Sequence, residues 1–186
     1  MAVMAMLTMM AAPSFSVWVA NSRIRVTAES VLSGLQSAKS EAVTRNTRVR
    51  FQLTSTLDNG CVLAANGTNW VINVDVAANP TQVEGLCDAA PDDAVAPFIL
   101  QTRPGATGSG TTQVAATQAS MVFNGLGRLA EVPAGNIVID LTNPAGGNCA
   151  AAGGDVVCLR IVVSTIGQAR MCNPDPDLAA GDPRAC

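Results

Sequence analysis

The chain has no histidine and no tyrosine, and aromatic side chains make up only 3% of its 186 residues. Histidine is the side chain most often set to activate a Ser or Cys nucleophile, because its proton equilibrium lies close to neutrality. Its absence removes every Ser/His and Cys/His arrangement and leaves only carboxylates and Lys39 as acid–base candidates. Lys39 stands close to Glu41 in a helical run, where a solvated position on the helix face explains it, so no enzymatic activity is expected. The six cysteines, Cys61, Cys87, Cys149, Cys158, Cys172 and Cys186, include no CxxC pair and no zinc-like spacing. No metal or other cofactor is therefore expected. An even number of this kind suits a disulfide framework in an oxidising compartment. Local closure suggests Cys149–Cys158 across one loop and Cys172–Cys186 around the tail, with Cys61–Cys87 by default; buried free thiols are the alternative.

Charge is scarce too: 13% of residues are charged, against roughly a quarter in ordinary globular domains. The net charge of −3 hides a split. Residues 1–52 carry six basic and two acidic side chains, whereas residues 53–186 carry five basic and twelve acidic ones. An acidic body repels polyanions, so nucleic acid can be held only by a local basic patch. Long hydrophobic runs are also missing. The first 12 residues are uncharged, but a membrane-spanning helix needs about 20 apolar residues. No Lys or Arg precedes them, as a signal peptide would require. Oxidised cysteines imply export all the same, so the sequence is expected to continue upstream of Met1.

What is present is organised around residues 1–50. Ile24, Ala28, Val31, Leu35, Ala38 and Ala42 recur at steps of four and three, the spacing of one helical face. Arg23, Arg25, Lys39, Arg45 and Arg48 fall on polar positions between them. One helix thus begins as an apolar rod over residues 1–20 and ends as the spine of a head spanning residues 21–186. Ala2, Ala5, Ala11 and Ala12 suit close helix–helix contact. Pro13 should kink or break the rod, with Ser14 as a new cap. Trp18 suits either a membrane–water boundary or a core position. Arg45, Arg48 and Arg50 can meet anionic lipid or a neighbouring subunit's carboxylate, or form the solvated end of the helix, where cations favour its dipole.

After Arg50 the pattern changes to strands and turns. Arg48–Thr54 alternates, with Val49, Phe51 and Leu53 inward. Further strands are expected over Asn69–Val76, Phe98–Gln101, Thr111–Thr117, Met121–Asn124, Arg128–Glu131, Asn136–Leu141, Val156–Ser164 and Gly167–Cys172. Asp58-Asn59-Gly60 reads as a hairpin turn, and residues 77–97 as an acidic, irregular stretch. Phe123 to Arg128 is most simply a core strand with a glycine turn. The fold class is α+β, a long N-terminal helix packed on antiparallel β-sheets. Asn173, Asp175 and Asp177 alternate like the start of a calcium loop. The sixth position lacks glycine, however, and Arg184 stands where a bidentate Glu belongs, so a rigid turn is expected.

Four motifs in register carry a resemblance over almost the whole chain. These are Ala12-Pro13-Ser14-Phe15; Ser40-Glu41-Ala42-Val43 with Arg45-Asn46 and Arg48-Val49; Phe123-Asn124-Gly125-Leu126-Gly127-Arg128; and the tail from Gly167 to Cys186. Together they resemble the GspH/FimT family of type IV pilin-like proteins, and the tail with Asp182-Pro183-Arg184-Ala185-Cys186 looks most like the FimT branch. The resemblance implies a non-enzymatic subunit that enters the inner membrane as a prepilin, with its head in the periplasm. It implies partners in other pilins or pseudopilins, joined through the N-terminal helix, in a type IV pilus or a type II secretion pseudopilus. It also implies a prepilin peptidase cutting before Phe in a Gly-Phe-Thr-Leu-Ile-Glu-like motif, which this sequence does not contain. FimT-like pilins can bind DNA through a Gly-Arg-x-Arg motif, which reads Gly167-Gln168-Ala169-Arg170 here. Arg170 is kept, Gln168 replaces the first Arg, and Arg184 could join them if the tail loop closes on Cys172–Cys186. Asp175, Asp177 and Asp182 in that loop oppose a polyanion.

Overall fold

The structure is a computed structural model describing residues 2–76, 79–105, 109–179 and 181–186, with helix side chains from Phe15 onward. Helix α1 runs from Ala2 to Arg45 without interruption, so Pro13 does not break it. A proline removes one amide donor, and the flanking hydrogen-bonded turns carry the helix across. Ala2, Ala5, Ala11 and Ala12 have side chains outside the described residues. The expected stripe is the buried face: Ile24, Ala28, Val31, Leu35, Ala38 and Ala42 are all at most 1% exposed. Among the described residues, no helix is long and apolar enough to cross a membrane.

Eight strands follow: β1 (Val49–Thr54), β2 (Asn69–Val74), β3 (Ile99–Arg103), β4 (Gln113–Ala116), β5 (Ser120–Phe123), β6 (Ile137–Thr142), β7 (Leu159–Val163) and β8 (Ala169–Cys172). They form two four-stranded antiparallel sheets, with orders β3-β2-β1-β5 and β4-β6-β7-β8, called sheet A and sheet B. Helix α1 packs against both. Val49, Phe51 and Leu53 face it from β1, as the alternation predicts. Gly34 lets the helix come close, since a Cβ there would lie 2.7 Å from the Phe51 ring and 2.9 Å from Trp70.

Three expectations are corrected. Arg128–Glu131 is no strand; only Leu129 bridges back to Phe123. That bridge is held by the Asn124 N–H on the Arg128 carbonyl and the Ala130 N–H on the Val122 carbonyl, both at 2.8 Å, and the pairing extends no further. Asp58-Asn59-Gly60 does turn, since Asp58 accepts the Gly60 N–H at 2.8 Å, but it does not join paired strands directly. The chain is diverted because Cys61 is drawn into a second small core with Val71, Val83, Cys87 and Ile99. Finally, Val156 to Cys158 precede β7 rather than belonging to it, because Val156 bridges Cys149 and Cys158 is tied to that same residue.

Candidate functional site

The three disulfides are Cys61–Cys87, Cys149–Cys158 and Cys172–Cys186. The last one closes the tail onto β8. Backbone bonds reinforce it, with Asn173 N–H donating to Arg184 at 2.6 Å and Cys186 N–H to Asn173 at 3.1 Å. Arg170 is exposed, and its guanidinium donates to the Ala185 and Cys186 carbonyls at 3.3 and 2.9 Å. Arg184 grips its own neighbour, donating to Asp182 from Nε at 3.0 Å and from Nη2 at 2.7 Å. Those side-chain bonds, with the Arg184 N–H, hold the Asp182 carboxyl down to about 2. So the loop closes, but each arginine is already engaged: Arg170 by tail carbonyls, Arg184 by Asp182. Asn173 and Asp175 accept the N–H groups of Asp175 and Asp177, both at 3.0 Å, which is the chemistry of a rigid turn.

Gln168 is exposed beside Gln36 and Lys39 in a small cleft at the turn between β7 and β8. That turn meets the glycine turn after β5. Gly127 and Gly167 both have positive φ, +70° and +80°, which favours glycine at each. They also abut: a Cβ on Gly167 would lie 3.2 Å from the Gly127 carbonyl, and one on Gly127 would lie 3.1 Å from both Lys39 and Val43. Asn124 shapes the first turn by accepting the N–H groups of Leu126 and Arg128 at 3.0 and 3.2 Å. Lys39 is not the solvated helix residue expected; it is half-buried and donates to the Gly167 carbonyl at 3.3 Å. Two motifs some forty residues apart thus form one surface, with Leu126, Arg128 and Ile166 exposed upon it. Sequence reading assigned this surface no role. Its signal was the pair of glycine turns, each preceded by a large aliphatic residue.

The basic end of the helix is also corrected. Arg50 is only 5% exposed and lies on the face of β1 turned away from α1. It donates to Asp75 through Nη2 and to Ser120 through Nη1 at 3.1 Å. Arg48 shares Asp75 at 2.8 Å, while Arg45 pairs with Glu41 at 2.7 Å and with Asp93. The carboxylates that these arginines meet are the chain's own: Glu41 on α1, Asp75 just after β2, and Asp93 in residues 79–98, which pack back against sheet A. The side-chain bonds with Glu41 and then Asp93 raise the Arg45 pKa. Gln52 donates to Asn73 at 2.7 Å on the same covered face.

At the other end of the helix, Trp18 is 65% exposed and stacks on Phe15, with ring centroids 6.0 Å apart. The core alternative for Trp18 is thereby removed. Together with Arg25, Val157 and Leu159 it walls a shallow open cleft.

A search of curated proteins by sequence finds no match. Among solved structures, the type IV minor pilin FimU of Pseudomonas aeruginosa PAO1 superposes with a TM-score of 0.53 at 17% identity, covering 80% of this chain and 87% of that one. A second crystal form of FimU gives 0.51 at 17% identity, covering 79% and 90%. The minor pseudopilin EpsH of the Vibrio cholerae type 2 secretion system gives 0.48 at 10%, covering 82% and 98%. At such identities the FimU likeness establishes the fold, one long helix on two antiparallel sheets. The family described as Type II transport protein GspH matches residues 27–167, which include the buried stripe from Ala28 to Ala42, both sheets as far as β7 and the two glycine turns. With that match over about three quarters of its length, the chain belongs to the GspH family of minor pilins and pseudopilins.

Proposed function

We propose that this chain is a FimT-like minor pilin acting in the assembly of a type IV pilus. Before assembly its helix is held in the inner membrane with the head in the periplasm; prepilin peptidase processing belongs to the same proposal. In the filament, the apolar half of α1 packs among the helices of other pilins and the disulfide-stapled head is displayed. The observation that carries this reading is the division of α1. Ala20 to Ala42 supply the buried stripe, whereas Phe15 and Trp18 stand 67% and 65% exposed just before it. A stacked aromatic pair in water forgoes apolar burial worth about 1.5–3 kcal/mol per side chain. A membrane interface or a neighbouring helix recovers that burial. A pseudopilin of a type II secretion system is the second reading, favoured by the family description. Deleting the gene and following both surface pili and secreted proteins separates the two. Loss of pili with intact secretion is expected, and the reverse result assigns the chain to secretion.

DNA capture is proposed as an added role of the β8 edge through Arg170, with Gln168 and Arg184 beside it. Its support is the exposure of all three side chains. Against it stand the tail carbonyls on Arg170 and the Asp182 carboxylate on Arg184. Fluorescence anisotropy of labelled duplex DNA in a salt series tests it. Arg170→Ala should weaken binding and lower the salt slope by about 1. No binding at low salt removes the role and leaves assembly alone.

A further inference from the structure

The surface formed by the two glycine turns has the chemistry of a docking site. Val43, Leu126 and Ile166 are 50%, 80% and 54% exposed. Gly127, which follows Leu126, would meet Val43 with any Cβ, and Gly167, which follows Ile166, abuts Gly127, so the three aliphatic side chains surround one contact. Their rim is cationic. Among the described residues, Lys39 spends one donor, on the Gly167 carbonyl, and Arg128 is exposed with no side-chain partner. Three large apolar groups inside a basic rim suit a protein face that is apolar and acidic, and they suit a nucleic-acid backbone poorly.

This chain carries such a face itself. Residues 86–95 expose Leu86 at 47% and Val95 at 62%, with exposed Asp88 and Asp92 between them. The helical period places Lys39 and Val43 on one flank of the buried stripe and Glu41 and Arg45 on the other. The observed contacts agree: Lys39 and Val43 touch the Gly127 turn, while Arg45 holds Asp93 of the acidic segment. The two faces therefore lie on opposite flanks of α1 at the same level along it. A symmetric pairing of the basic face with itself would set Lys39 and Arg128 against their own copies, which is repulsive. A heterologous pairing, basic face on acidic face, leaves each copy a free face of either kind and so sets copies side by side in a row or ring.

We propose that the Val43–Leu126–Ile166 face, with Lys39 and Arg128 at its rim, docks onto residues 86–95 of a second copy of this chain. The contact lies in the head and is separate from the helix packing proposed above. Sedimentation velocity of the full chain in detergent micelles, over a range of concentrations at low and high salt, tests it. Circular dichroism serves as the check on folding. Concentration-dependent association that weakens with salt is expected. Leu126→Asp, Arg128→Asp and Asp88→Arg should each weaken it by about tenfold, and Arg128→Asp combined with Asp88→Arg should recover most of the loss. A single-subunit species at every concentration overturns the proposal, as does a double variant no better than its parents. Association that none of these substitutions alters also overturns it, and in that case points to the helix alone, leaving the assembly reading in place.

Discussion

Strands β1 (VRFQLT) and β6 (IVIDLT) carry an apolar residue at every second position, with Val138 of β6 standing where β1 has Arg50, yet they end in different surroundings. Every residue of β1 is buried, while β6 alternates between buried and half-buried. Val49, Phe51 and Leu53 of β1 and Ile137, Ile139 and Leu141 of β6 turn to the core that α1 shares. The difference lies on the far side, where residues 79–98 and the Cys61–Cys87 bridge pack on sheet A, while the equivalent face of β6 and β7 in sheet B is only half-buried. Alternation in a sequence therefore identifies the face that reaches the core and leaves the fate of the other face open. What permits burial of the polar face of β1 is a set of partners, two of them distant in sequence, Asp75 for Arg50 and Asn73 for Gln52, and one local, the Thr56 carbonyl for Thr54.

The comparison breaks most sharply at Asp75, whose side chain is fully buried against Arg50. Asp75→Ala strands a guanidinium inside the covered face and should cost about 3–5 kcal/mol in urea unfolding, whereas replacing the pair together with Arg50→Met and Asp75→Leu should restore much of it. Next comes the cover itself. Replacing Cys61 and Cys87 by Ala should cost about 3 kcal/mol by the loop-entropy argument. It should also raise amide exchange on β2 and β3 while leaving β6 and β7 protected.

Asp140→Ala on the open face of sheet B is the control. The Asp140–Arg160 pair is bonded at 2.6 and 3.1 Å, and that bond raises the Arg160 pKa. Its side chains remain about a third exposed, so its loss should cost no more than about 1 kcal/mol. The smallest effect belongs to the tail. Asp182 is depressed from 3.8 to about 2 by Arg184, so its contribution is complete above the unfolded value and is lost as pH falls through the folded one. An NMR titration should place its midpoint near 2, and Arg184→Ala should move it back up.

Much of this was legible in the residues. The helix stripe, the inward set of β1 and the Cys149–Cys158 and Cys172–Cys186 closures are local in the sequence, whereas Cys61–Cys87, 26 residues apart, follows only by default. Less legible were contacts made by chain that has no period. The sequence of residues 77–97 shows an acidic loop, and nothing in its pattern says that Val83 and Cys87 pack on Val71 across the far face of sheet A. The same holds for the meeting of Gly127 with Gly167, where each turn is readable and their contact is a property of the whole fold. The Gly-x-x-Arg motif illustrates the point at the candidate site. Gln168 and Arg170 are where the motif places them, but the engagement of Arg170 by the Ala185 and Cys186 carbonyls depends on how the tail closes.

The shared helix has a mechanical meaning as well. Helix α1 rests on strands of both sheets along one continuous aliphatic stripe from Ala20 to Ala42. Tension applied at its N-terminal half runs along the axis and enters both sheets together as shear, with every contact of the stripe sharing the strain. A head hung from a single edge would peel, one contact failing after another. Hung from a helix that both sheets grip, it comes away only if the whole stripe slips at once.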